Sequence, residues 1–394
     1  MRKKFLKAFL ATLTASAMFL PANFSSAEIV NYDGVGEYIM SDFETPDVAK
    51  QRAKLYAERN AQEQAGVYIK SYSRMENFKL VEDEVIAITS GILKVLNVEY
   101  KMIPMEEYGG IMYRATILAS IDTDKVDEWI AQGIGERESL TEKNRELQRQ
   151  IDEQEKLIAE LKLKAEKSKN PSADEKLKQE FADADKAFLS NIKLEEGNRL
   201  VLLNVDWSYE LALKDWTEAI ELNPQNALAY EARGYYYLYY TQDYPASLND
   251  FNQAINLRPS IADNYFYRGL CHLNLNDIEL AKTDFERAIN LNPQMSGAYG
   301  ELAYIYTMSD PLKAIEYADR ALEFNERNWR AYYSRGLALY TMHNYEAALE
   351  DGQRALEWGC GDAYQLIGDC YGMLGNRAEA EKYWELAKDP PAFG

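Results

Sequence analysis

Histidine and cysteine are nearly missing from this chain of 394 residues, which has two of the first and three of the second. His272 and His343 have no cysteine or acidic neighbours at zinc-ligand spacing, so a structural zinc site is excluded. His272 falls where a packing residue is expected. Cys271, Cys360 and Cys370 are odd in number; they read as small buried hydrophobes, with a Cys360–Cys370 bridge as the alternative. The chain also lacks a glycine-rich phosphate loop and a Gly-x-Ser-x-Gly elbow. No catalytic, metal or cofactor site is therefore expected, and the chain reads as non-enzymatic. Positive charge is in deficit, 44 Lys and Arg against 64 Asp and Glu, giving a formal charge of −20. Such a surface repels phosphate backbones and anionic lipid heads, which argues against nucleic acid as a partner.

Long apolar runs are scarce as well, and the one of note lies at the start. Arg2, Lys3, Lys4 and Lys7 precede an apolar stretch from Ala8 to Leu20, followed by the small residues Ser25, Ser26 and Ala27. This is the layout of a signal peptide, residues 1–27, with cleavage expected after Ala27; an uncleaved anchor helix would need a longer apolar run. Removing those residues takes away four basic and no acidic side chains, so −20 becomes −24. No later segment is apolar and long enough to span a bilayer. The expected location is extracytoplasmic, periplasmic or envelope-associated.

Residues 28–135 show period-two stretches around one helical stretch, the pattern of a small α+β domain. Glu28–Met40, with Gly34 and Gly36, reads as a bent strand. Pro46 and Asp47 open a helix, in which Ala49, Ala53, Ala57, Ala61 and Ala65 form a ridge of methyl groups, and Gly66 is expected to end it. Val67–Arg74, Ile92–Ile103 and Met112–Asp122 follow as strand candidates, with a short helix over Val81–Thr89. Gly34-Val35-Gly36 before the alanine-rich helix, Ala61-Gln62-Glu63-Gln64-Ala65-Gly66 and Ile121-Asp122-Thr123-Asp124 resemble the N-terminal domain of flagellar assembly protein T and related envelope lipoproteins. The resemblance implies an assembly or envelope-association module.

Residues 136–169 carry a heptad. Leu140, Leu147, Gln154 and Leu161 occupy one seam position; Asn144, Ile151, Ile158 and Ala165 occupy the other. Steps alternating four and three over about four heptads predict a coiled coil, dimeric or trimeric, joined through Leu140, Asn144, Leu147, Ile151, Ile158 and Leu161. A single solvated linking helix is the alternative. Asn170-Pro171-Ser172 then breaks the helix, so residues 170–189 read as linker and leading helix.

From about residue 190 to 390 the sequence repeats. Ala219, Ala254, Ala288, Ala321, Ala355 and Ala387 are spaced 35, 34, 33, 34 and 32 residues apart. A period near 34 means stacked helix pairs, about six of them. Tyr230, Tyr265, Tyr299, Tyr332 and Tyr364 recur, each followed four residues later by Gly234, Gly269, Ala303, Gly336 or Gly368. Small residues at Ala212, Ala281, Ala314, Ala348 and Ala380, large ones at Trp216, Phe251, Phe285 and Trp384, and prolines at 224, 259 and 293 complete the unit. These positions resemble the tetratricopeptide repeat. The expected fold is multidomain: a small α+β domain, a coiled-coil helix and an all-α superhelical solenoid.

The resemblance implies a concave groove lined by the first helix of each pair. By register its lining is Tyr235, Leu238, Tyr239, Phe266, Leu270, Tyr304, Met308, Tyr333, Leu337 and Tyr340, suited to an extended peptide or an amphipathic helix. The places where some relatives hold a terminal carboxylate carry Glu231, Phe266, Gly300, Tyr333 and Gln365, which disfavours a carboxylate clamp. Two functional expectations follow: an exported adaptor binding a protein or peptide, or a structural subunit of an envelope ring or flagellum-associated assembly.

Overall fold

The computed structural model describes residues 29–75, 80, 85, 88–89, 92–105, 110–123, 126, 134–167, 174–201 and 206–388. Three antiparallel strands, β1 (Ile29–Met40), β2 (Lys94–Met105) and β3 (Gly110–Asp122), form a sheet in the order β1-β3-β2. Helix α1 (Pro46–Met75) lies across its inner face. The sheet and helix touch through small residues: a Cβ at Gly34 or Gly36 would run into the backbone carbonyls of Ala57 or Ala53. The glycine pair therefore serves close approach of helix and strand.

One strand expectation needs correction here. Val67–Arg74 is helical, because α1 passes through Gly66 and ends at Met75. The reason is that the buried ridge continues past Ala65 to fully buried Ile69 at the same four-residue step, which outweighs the roughly 1 kcal/mol that an interior glycine costs. The helix predicted over Val81–Thr89 lies mostly outside the described residues.

Helix α2 (Ile134–Lys167) and helix α3 (Glu175–Val201) pack side by side in opposite directions. Leu161 and Ile158 meet Leu177, Phe181 and Ala184, while Leu147 and Ile151 meet Phe188, Ile192 and α1 residues Val48 and Leu55. The heptad expectation is thereby corrected. Leu147, Ile151, Ile158 and Leu161 are all buried within a single chain, so the seam joins α2 to α3 and α1 instead of to a second copy. The side chains of Leu140 and Asn144 lie outside the described residues.

A charged cluster seals this junction. Arg52 on α1 reaches Glu44 (3.3 Å) and Asp185 on α3 (3.2 Å), and its guanidinium lies 4.2 Å from the Phe188 ring. Lys162 on α2 donates to the Tyr38 hydroxyl (2.8 Å) and lies 3.4 Å from Glu44, which itself accepts from Tyr38. Around the same helices Arg59 binds Asp152 and Glu155, and Arg199 binds Glu58 and Glu195.

Helix α3 also opens the solenoid. It pairs with α4 (Asp206–Leu222), and five more pairs follow: α5 (Ala227–Tyr236) with α6 (Tyr244–Leu257), α7 (Ala262–Asn274) with α8 (Ile278–Leu291), α9 (Ser296–Tyr306) with α10 (Pro311–Phe324), α11 (Trp329–Thr341) with α12 (Tyr345–Glu357), and α13 (Ala363–Met373) with α14 (Arg377–Lys388). Four of the six pairs close on a glycine under an aromatic ring, whereas Gly336 in the α11–α12 pair faces Leu366. A Cβ at Gly269 would sit 2.7 Å from Phe285, and one at Gly197 would sit 2.6 Å from Trp216. The two end pairs use tryptophan, each with an acceptor beside the glycine: Trp216 Nε1 donates to Asn198 (3.0 Å), Trp384 Nε1 to Asp369 (2.8 Å). Among the described residues no helix is long and apolar enough to cross a membrane.

Candidate partner-binding groove

The first helices that line the groove are held in place by a device that repeats with the sequence. Arg233, Arg268 and Arg335, each just before a repeat glycine, form two-pronged contacts of 2.6–2.8 Å with Asp250, Asp284 and Asp351 on the second helix of the same pair. The same guanidinium reaches back to the preceding pair, to Thr217, Asn252 or Asp319. It also lies over the packing tyrosine three residues earlier, Tyr230, Tyr265 or Tyr332, at 5.5–5.9 Å. One planar cation thus fixes two helices and the neighbouring pair. In the α9–α10 pair these places hold buried Leu302 and partly buried Tyr317. The Arg-Gly dipeptides, with aspartates 16 or 17 residues on, were the sequence signal for this device.

The first unit of 35 residues is also explained. Helix α5 runs into a π-helical turn, Tyr237–Thr241, which absorbs one extra residue between Gly234 and Ser247. Gln242 ends the turn at φ 55°, and Ser247 takes the alanine place, its hydroxyl donating to the Gly234 carbonyl (2.8 Å). Single π turns inside α-helices concentrate at functional sites, and this one carries Leu238, Tyr239 and Tyr240.

The groove residues divide by what they touch. Tyr235, Tyr239 and Tyr304 are 38, 48 and 37 % exposed and Met308 is 79 % exposed, while Leu238 is buried with Phe251 and Cys271. Leu238 is therefore a packing residue, a correction that follows from the π turn rotating it inward. Tyr235 and Tyr239 lie 4.5 Å apart with their rings tilted by 41°, and Tyr267, which register alone did not single out, meets them edge-on at 5.4 and 6.3 Å. Phe266 half-buries itself over Gly297 and packs towards Phe285, and Leu270 is partly buried beside it. Further along, Tyr304 stacks with Tyr333 at 6.5 Å, and Arg330 lies 4.8 Å from the Tyr304 ring. Leu337 and Tyr340 are half-buried, Tyr340 edge-on to Tyr345. The structure thus gathers Tyr235, Tyr239 and Tyr267 into one aromatic group and Tyr304 and Tyr333 into another. Tyr265, Tyr299 and Tyr364 are buried packing residues, as expected, and the Tyr265 hydroxyl donates to the Pro259 carbonyl of the preceding turn.

Two carboxylates sit at the groove, each beside an arginine: Glu231 is 3.9 Å from Arg258, and Glu301 is 3.0 Å from Arg330. Glu301, buried next to the second group, accepts from Arg330 through one oxygen (3.0 Å), while its other oxygen has no partner. Burial raises its pKa above the ordinary carboxylate value, and Arg330 opposes the shift. Glu231 is engaged by Asn264 (2.8 Å). His272 sits 3.9 Å from Asp284 of the Arg268 clamp, a packing position. The three cysteines are free and buried; burial pushes their thiols up to about 11 for Cys271 and Cys360 and about 12 for Cys370, which keeps them unreactive.

Comparison with known families agrees with the register. Residues 262–295 and 306–365 match models of the tetratricopeptide repeat, and the helix pairs around them form a solenoid of the same kind. The curated proteins gave no match to the chain. Among solved structures, "Crystal structure of PilW, widely conserved type IV pilus biogenesis factor" aligns at 19 % identity and TM-score 0.44 over 52 % of this chain and 94 % of that one. PilF of Pseudomonas aeruginosa aligns at 17 % and 0.44 over 53 and 95 %. YrrB, titled a TPR protein with an unusual peptide-binding site, aligns at 25 % and 0.35 over 44 and 91 %.

Proposed function

We propose that this chain is an exported, non-enzymatic scaffold whose solenoid holds a protein or peptide partner in its groove, in the service of cell-envelope assembly. The observation that carries the reading is the contrast within the first helices: Tyr235, Tyr239 and Tyr304 stay open to solvent while Tyr265 and Tyr299 are buried. Exposed tyrosine offers large contact area with few rotors to freeze. The formal charge of −20 favours an apolar segment that carries basic residues, since charge complementarity selects the partner. Export rests on Arg2 to Ala27, and the envelope setting on the motifs at Gly34-Val35-Gly36 and Ile121-Asp122-Thr123-Asp124.

Selection of random peptides displayed on phage tests the groove. Peptides retained by the wild type are expected to combine aromatic or aliphatic with basic residues. The double variant Tyr239→Ala, Tyr304→Ala is expected to bind them at least about tenfold more weakly, as loss of central aromatic anchors does. Undiminished binding would move the site elsewhere.

A further inference from the structure

Among the described residues, the N-terminal sheet ends in a strand with no partner on its outer side. Among the described residues β2 pairs with β3 alone. It is twelve residues long, and on it Leu96, Tyr100 and Met102 are 48, 41 and 55 % exposed. Long, apolar, open edges are templates for further pairing, and proteins normally blunt or cover them. Helix α1 lies under β1 and β3 and barely reaches β2, so on the inner face Met102 overhangs it and Tyr100 stays half exposed at its rim, within reach of the charges of Lys54, Glu58 and Glu196.

We infer that β2 pairs with β2 of a second copy, antiparallel about a two-fold axis at Tyr100, to make one six-stranded sheet. Charge decides the register. In a two-fold pair the residue at the axis faces itself, and residues equally far from it face each other. Centring on Glu99 or on Lys101 would set like charges face to face, which is unfavourable. Centring on Tyr100 places Glu99 opposite Lys101 of the second copy, twice over. It also sets Val98 against Met102 and Asn97 against Ile103. The β-bulge between Val95 and Asn97 leaves Leu96 opposite Pro104, so the two places least able to continue a ladder fall together at each end.

The monomer supplies an independent reason for this pairing. Across β2 and β3, Lys101 stands directly opposite Arg114. Arg114 turns to Glu37 on β1, its Nε 2.6 Å from the carboxylate, and Lys101 is left beside a like charge. In the paired sheet Glu99 of the second copy closes that row, and the sequence across the sheet becomes Glu37, Arg114, Lys101, Glu99. On the opposite face the two rims meet, Tyr100 on Tyr100 with Met102 and Val98 flanking. A sheet edge, not the α2 heptad, then carries self-association.

Analytical ultracentrifugation of the purified protein tests the inference. A dimer is expected at micromolar concentration. Glu99→Lys and Lys101→Glu should each weaken it at least about tenfold, because each sets like charges together at both ends of the axis. The double variant Glu99→Lys, Lys101→Glu should restore it. All are exposed positions, so unchanged circular dichroism and melting keep the reading separate from misfolding. Tyr100→Cys should form an intermolecular disulfide under mild oxidation, whereas Met102→Cys, about 13 Å from its own mate at 3.3 Å per residue, should not. A wild-type monomer, a dimer indifferent to both charge reversals, or a swap that fails to rescue would overturn the inference.

Discussion

The junction between α1, α2 and α3 and the joints between repeats do the same mechanical job with opposite means. At the repeat joints, a glycine under an aromatic ring and an arginine on an aspartate recur from pair to pair, so that Arg233–Asp250, Arg268–Asp284 and Arg335–Asp351 are near copies. At the junction every contact is made once. Arg52 meets Asp185 across 133 residues of chain, and Lys162 meets Tyr38 across 124. A repeated joint spreads its stability over many equal interfaces. A single joint concentrates it, and damage there should be correspondingly larger.

The most severe break is expected at Ile151, which is fully buried against Phe188 and α1. Ile151→Asp places an unpaired carboxylate in that seam and should cost about 4–5 kcal/mol or more. Denaturant melts should show the loss at every protein concentration. A loss that appears only on dilution would mean that the seam joins two copies after all.

Asp185 probes the same junction through pH. Burial lifts its carboxyl from 3.8 to about 6 against the opposing pull of Arg52. Between those values the folded chain keeps a proton that the unfolded chain has lost, so this group makes stability fall as pH rises from about 4 to about 6. Two pH units correspond to about 3 kcal/mol. Relative to wild type, Asp185→Asn should therefore gain stability across that window and level off above it. A difference that stays flat in calorimetry would deny the buried cluster its role.

Gly34→Ala should cost about 2–3 kcal/mol, since the Ala57 carbonyl that it would strike is helix backbone and cannot step aside. Gly269→Ala should cost less, because the Phe285 ring that it meets can tilt. Smallest of all, Tyr239→Ala and Tyr304→Ala should each change stability by less than about 1 kcal/mol, whereas Tyr265→Ala should cost about 3–5 kcal/mol. Thermal melts of the single variants order these effects. Equal losses at Tyr239 and Tyr265 would erase the distinction between groove and packing faces.

The same contrast governs what could be read in advance. Tyr265, Gly269, Ala281 and Phe285 announce their roles because their counterparts sit one period away, and the solenoid and its first helices were legible for that reason. A heptad such as Leu147, Ile151, Ile158 and Leu161 reports only that a helix has an apolar seam; it does not say whose helix fills it. Arg52 and Asp185 have no counterparts, and nothing local in either residue points to the other. In the groove, Tyr235 and Tyr304 followed from register, but Leu238 turned inward and Tyr267 joined the aromatic group without having been singled out. One depends on a π turn and the other on its neighbours' rings, neither of which a spacing rule contains.

That π turn has a consequence for how such a chain can change length. Tyr237–Thr241 takes up its additional residue before α6 begins, so Phe251 and every later unit keep their phase. Two pairs later the same stretch, Ala303 to Ala314, is one residue shorter than its counterpart from Gly269 to Ala281, and α10 still starts on its cap at Asp310. Gains and losses of single residues are thus cancelled where they occur, like a slipped stitch caught in the same row. The mouth of the groove can be recut one residue at a time while the stack behind it stays in step.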